Sequence, residues 1–169
     1  MTLQQFLKLD GFVFLGMHGG IGEDGTMQKL LTQAHKKFNG SHAQASHLCM
    51  DKFATGEAMK PLKKYGIYTA EKKVFPLAHF KNFTTTQWTA FWSQLKKDLH
   101  ASSLIIKPTD DGCSAGICRI SSAKDLQIYI TFANKNALEI PAGTLTDQHG
   151  IIEMPSQKMQ HILFEKFIE

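Results

Sequence analysis

The stretch Leu104-Ile105-Ile106-Lys107-Pro108 limits what this chain can fold into more than any other. Its apolar, β-branched run asks for a buried strand, and Pro108 fixes the end, because a residue before proline is driven to extended backbone. The strand therefore closes on a lysine whose position is set. The residues after it, Thr109 to Gly116, are small and turn-forming, and "AGICRI", 115–120, reads as the hairpin partner. A sheet with at least one antiparallel pair follows.

Such a sheet needs helices to cover it. In "TTTQWTAFWSQLKKDL", 84–99, threonines precede Trp88, Phe91, Trp92 and Leu95 at helical spacing; in "SSAKDLQIYITFA", 121–133, a serine cap precedes an acid in the first turns. Residues 66–77 alternate as a strand, and "HILFEKFI", 161–168, predicts a last strand. Towards the N-terminus, Gly11–Met17 predicts a buried parallel strand that stops at His18-Gly19-Gly20. A helix within 22–37 would turn Met27, Leu30, Leu31 and Ala34 inward and place lysines in its last turn, and the chain breaks at Asn39-Gly40-Ser41. A second helix over 43–64 would carry Leu48, Phe53 and Met59 inward, with Gly56 and Pro61 disturbing its later course. The segment 134–160 is rich in turn residues. The class is α/β (α+β), with a mixed or antiparallel sheet and flanking helices.

Composition excludes several functions. With 169 residues the chain can bury a core without disulfides or metal. It has no apolar run near the roughly 20 residues that span a bilayer. The opening "MTLQQFLKLDGF" lacks the basic region and cleavage site of a secretory leader, which favours the cytoplasm. Cys49, Cys113 and Cys118 form no CxxC pair and read as reduced thiols. The net charge is +4, spread over lysine pairs such as Lys72-Lys73 that read as solvated surface, and Arg119 is the sole arginine. No basic-aromatic stripe tracks nucleic acid. His42 and His47 do not share a helical face for a metal.

Lys107 is a compact positive charge at a strand end, suited to phosphate oxygens. The loop Asp111 to Gly116 adds successive backbone N–H groups and the Ser114 hydroxyl, with Gly112 and Gly116 permitting close approach. The same residues also make an ordinary turn. Taken alone, the loop supports both readings.

Its neighbours favour the phosphate. "FLGMHGGIGEDGTMQ", "NGSHAQASHLCMDK", "IIKPTDDGCSAG" and "ILFEKFI" stand in that order, and together they resemble D-alanine–D-alanine ligase of the ATP-grasp superfamily, from about Gly11 to Ile168. The resemblance implies the end of a Rossmann-like pre-ATP-grasp domain at 1–42. It implies a first ATP-grasp subdomain at 43–169, with an insertion at 134–160.

It also implies roles. Lys52 in "MDK" and Lys107 in "IIKP" match the two lysines that reach ATP. Asp111, Gly112, Cys113, Ser114 and Gly116 match the flap over the triphosphate, with Cys113 where the family carries the serine that helps hold the amino acid. Glu165, Lys166 and Ile168 in "EKFI" match the hinge that pairs with adenine, Glu165 supplying a carbonyl and Ile168 an N–H. His18 and Ser114 take catalytic positions beside the substrate. ATP and small amino-acid substrates are the expected partners, and a homodimer is possible. Magnesium belongs to the parent enzyme, its ligands lying in the family's C-terminal half. The chain is thus expected to be a ligase fragment that folds, binds nucleotide weakly and does not turn over. The alternatives are a non-catalytic nucleotide- or partner-binding domain, and a ligase with another amino-acid substrate.

Overall fold

The computed structural model describes residues 1–110, 112 and 114–168. Two compact units divide the chain: one takes Met1–Ala58 with Asp110 and Gly112, the other Met59–Thr109 and 114–168.

The first unit is built from short elements. Helix α1 (Leu3–Phe6) starts at a capping box in which Thr2 and Gln5 satisfy each other's backbone N–H. Strand β1 is only Phe12–Val13, shorter than the expected Gly11–Met17, and Phe12 and Phe14 are exposed rather than buried. It does pair in parallel, with β2 (Lys37–Phe38). The ladder stops there because the Asn39 side chain takes the next partner's place. Its Oδ1 accepts from Leu15 N at 2.5 Å and its Nδ2 donates to Leu15 O at 3.2 Å.

Helix α2 (Thr26–Gln33) is likewise shorter than expected. Met27 and Leu31 are buried as the stripe requires, while Lys36 and Lys37 lie past its end and so do not serve its last turn. The expected helix over 43–64 is three pieces: α3 (Ala43–Met50), α4 (Lys52–Met59) and a 3-10 stretch Lys60–Tyr65. Asp51 makes the break. Its Oδ1 accepts from Phe53 N at 2.8 Å and Ala54 N at 2.9 Å, starting a new helix where the old one would have continued. Leu48 is exposed and Phe53 and Met59 are half-buried, so that inward stripe does not form.

The second unit holds the sheet. Strand β3 (Lys72–Pro76) occupies only the later part of the expected 66–77 strand. Helix α5 (Thr85–Asp98) follows a capping box of Thr84 and Gln87 and buries Trp88, Trp92 and Leu95. Strands β4 (Leu104–Pro108) and β5 (Cys118–Ile120) form the expected hairpin, and α6 (Ala123–Asn134) starts at the expected Ser122 cap. Within 134–160, β6 (Glu139–Ile140) and β7 (Ile152–Glu153) pair with each other. Strand β8 (His161–Lys166) then enters between β3 and β4, giving the order β3-β8-β4-β5 with every neighbour antiparallel.

Strand alternation gives this sheet two different faces. On one, Leu104, Ile106, Ile120, Ile162 and Phe164 are fully buried in a cluster with Trp88 and Leu95 of α5 and Leu126 and Tyr129 of α6. The other face carries Lys72, Ile105, Lys107, Leu163 and Glu165. The candidate site lies on this second face.

Candidate functional site

Lys107 and Glu165 stand 58 residues apart in sequence and meet on that second face. Lys107 lies opposite Leu163 in the β4–β8 ladder, so its side chain reaches diagonally to Glu165, two residues along the same face. The Lys107 Nζ donates to Glu165 Oε1. Glu165 sits directly opposite Lys72 in the β3–β8 ladder, and the Lys72 Nζ is 3.5 Å from Glu165 Oε2. Lys72 is therefore not the solvated lysine its sequence context suggests, with only 12% of its side chain exposed. One carboxylate is held between two ammonium groups in a half-buried setting. The resemblance singles out Glu165 and Lys107 but not Lys72, because the pairing that recruits Lys72 is non-local.

The neighbouring lysine turns the other way. Lys73 Nζ reaches Asp98 Oδ2 at 3.2 Å, at the end of α5. Beyond Lys166, the last residue of β8 and exposed, Phe167 N donates to Ser103 O at 3.3 Å. The Arg119 guanidinium lies 4.6 Å from the Phe167 ring centre, a cation–π contact that fastens the start of the segment leading to the exposed Ile168.

The loop after Lys107 is anchored at its far end. Gly116 N donates to Glu153 O at 2.7 Å, and the buried Tyr129 hydroxyl donates to Gly116 O at 2.6 Å. Gly116 has φ +67°, and a Cβ there would lie 2.9 Å from Tyr129 Oη and 3.1 Å from two ring carbons of Pro108. Ser114, at φ 59°, is exposed in the turn that Ile117 N closes on Ser114 O at 3.2 Å. Asp111 and Cys113 lie outside the described residues, and with them the expected departure at Cys113.

The β6–β7 segment is fastened by Asp125, which is 2% exposed. Its carboxylate accepts from Thr146 N at 2.9 Å, Thr146 Oγ1 at 3.0 Å and Ser121 N at 3.1 Å. Burial alone would raise the carboxyl pKa, but these bonds and the Ser122 contact outweigh it, holding the group below the usual range. On β5, burial and the nearby Asp125 charge push the Cys118 thiol up to about 12.

In the first unit, His18 Nδ1 stands 3.5 Å from Glu23 Oε1, and Gly19 N donates to Glu23 Oε2 at 2.9 Å. A Cβ on Gly112 would lie 3.7 Å from that same Oε2, so His18 and Gly112 flank one carboxylate. Lys52 is the first residue of α4 and half-buried. Among the described residues, no three His, Cys, Asp or Glu side chains converge as metal ligands. A cavity of about 660 Å³ in the second unit, floored by Phe80, Trp88, Ile130 and Met159 and edged by Lys81 and Lys158, contains none of the expected site residues. It lies at the Pro76–His161 end of β3–β8, away from Glu165.

No family model matches the chain. A D-alanine–D-alanine ligase from Haemophilus influenzae is 34% identical over 131 residues, 76% of this chain and 40% of that enzyme. Over this stretch the chain is similar to the D-alanine–D-alanine ligases. The solved ligase from Bacillus anthracis matches 99% of the chain with a TM-score of 0.63 at 21% identity, using 42% of its own length. The VanG D-Ala:D-Ser ligase from Enterococcus faecalis matches 94% with a TM-score of 0.60 at 23% identity, using 36% of its own. The chain thus spans about two-fifths of the length of these relatives. They share its fold, an antiparallel sheet with flanking helices of the expected ATP-grasp class. No helix among the described residues is long and apolar enough to cross a membrane.

Proposed function

We propose that this chain is part of the ATP-gripping portion of a cytoplasmic, ATP-dependent carboxylate–amine ligase of the D-alanine–D-alanine type. In that reaction ATP phosphorylates the carboxylate of one amino acid, and the amine of a second displaces phosphate from the acyl phosphate. The observation that supports the reading best is the meeting of Lys107 with Glu165 on one sheet face, at the strand end that leads into Phe167 and Ile168.

The described residues fit a nucleotide in chemical terms. Lys72 and Lys107 outnumber the single carboxylate between them, leaving one positive charge in a half-buried setting where charges act strongly. Lys107 would bind phosphate oxygens, and the backbone past Lys166 would present polar groups to the adenine edge. The loop at Gly112, Ser114 and Gly116 would close over the phosphates, with Tyr129 and Glu153 fixing its far end. Asp111 and Cys113 belong to the same flap on resemblance alone.

Lys52 and His18 also enter the proposal on resemblance, Lys52 towards phosphate and His18, oriented by Glu23, towards the amino-acid substrate. Residues 1–42 would be the end of a pre-ATP-grasp domain, 43–169 the first ATP-grasp subdomain, and 134–160 an insertion. Magnesium has no cluster of ligands among the described residues, and no step is assigned to it. As a portion spanning about two-fifths of its relatives' length, the chain by itself is expected to bind ATP weakly and to form no dipeptide.

A thermal-shift titration with ATP tests the reading. A ligand that binds only the native state stabilises it by mass action, about 2.7 kcal/mol at a hundredfold excess over Kd. Wild-type protein should show a saturable rise in Tm that Lys107→Ala largely removes. A rise that survives Lys107→Ala would refute the phosphate role of Lys107.

A further inference from the structure

We propose that Lys72 is a positioning residue for the nucleotide: it keeps Glu165 paired so that Lys107 can leave that carboxylate for phosphate. The inference rests on the nucleotide reading above and adds to it a residue on β3, outside every motif that carries the resemblance.

Glu165, Lys107 and Lys72 have side chains 15%, 16% and 12% exposed. A carboxylate this shielded resists losing its last cation, because little water is present to replace the ammonium. If Lys107 were the only partner of Glu165, the pair would compete with phosphate for the same ammonium. Lys72 removes that conflict. It stands directly across the ladder from Glu165 and faces the second oxygen, Oε2, while Lys107 holds Oε1. When Lys107 swings towards phosphate, Glu165 keeps a partner in Lys72.

The arrangement is particular to Lys72. Lys73 is one residue away but on the opposite face, where it pairs with Asp98. The β3–β8 register alone decides which of the two lysines meets Glu165. A one-residue slip would send Lys72 to the helix side.

The quantity at stake is the fraction of molecules in which Lys107 is released, since apparent affinity scales with the competent fraction. Losing Lys72 should lower that fraction about tenfold and raise the ATP Kd by the same factor. Calorimetric titration of ATP into wild type, Lys72→Met, Lys72→Arg, Glu165→Gln and the Lys72→Met/Glu165→Gln double variant reads this out, each variant first being shown to melt cooperatively. The expected result is a roughly tenfold weaker Kd for Lys72→Met and near-normal binding for Lys72→Arg. Lys72→Met should make less than about a twofold difference in the Glu165→Gln background, where no buried carboxylate needs a partner.

An equal penalty in both backgrounds would overturn the proposal, showing that Lys72 acts on nucleotide directly; so would no penalty at all. Wild type that binds no ATP sinks the nucleotide reading itself, and this role with it. Wild-type binding with no effect of Lys72→Met sinks only this role.

Discussion

Gly116→Ala tests how the loop after Lys107 is anchored, with a magnitude that can be assembled from the structure. The backbone there sits at φ +67°, a left-handed conformation that costs an L-residue roughly 1–2 kcal/mol. The added methyl would also lie 2.9 Å from Tyr129 Oη and 3.1 Å from the Pro108 ring, and neither neighbour moves freely. Tyr129 is fully buried and Pro108 is tied into the β4 ladder. Relief requires displacing the hydroxyl that donates to Gly116 O at 2.6 Å, a hydrogen bond worth on the order of 1 kcal/mol. The sum is about 2–3 kcal/mol, or a Tm loss of roughly 4–12 °C in a chain of this size.

Gly143→Ala supplies the control. Its φ of +73° is nearly the same, but a Cβ there has nothing within 4 Å, so only the backbone cost applies. Thermal unfolding followed by circular dichroism should give Gly116→Ala about 1 kcal/mol more loss than Gly143→Ala, whose own share is about 1–2 kcal/mol. Equal losses would refute the idea that Tyr129 and Pro108 clamp the loop end.

Two further outcomes follow from the titrating groups. Because Asp125 is held below its ordinary pKa in the folded state, its contribution is complete well above pH 4 and lost as pH falls through the folded value. Asp125→Asn should cost about 1.5–3 kcal/mol near pH 7, with the gap to wild type narrowing below about pH 4; a gap constant down to pH 3 would contradict the assignment. The Cys118 thiol, raised to about 12, is almost wholly protonated at pH 8 and should resist iodoacetamide in the native protein, while the exposed Cys49 is labelled. Fragment-ion mass spectrometry, which separates Cys118 from Cys113 in one tryptic peptide, would detect a contrary labelling order.

What the sequence by itself determined is local. Helix α5 was legible because Thr84, Gln87 and the Trp88–Trp92–Leu95 spacing act within a few residues of one another, and α6 because Ser122 and Asp125 do the same. The β4–β5 hairpin was legible because Pro108 and the small residues after it restrict the backbone directly. Where local chemistry competed with periodicity, the sequence misled: Asp51 capped a new helix inside the expected 43–64 helix, and Asn39 ended the β1 ladder with its own amide.

Only the tertiary structure decided the character of the candidate site. Strand β8 enters between β3 and β4 from a position more than fifty residues after β4, and that insertion brings Glu165 between Lys72 and Lys107. Nothing in the sequence near Lys72 separates it from Lys73. The ladder register does, because pleating sends neighbours to opposite faces, one to the half-buried carboxylate and the other to the end of a helix.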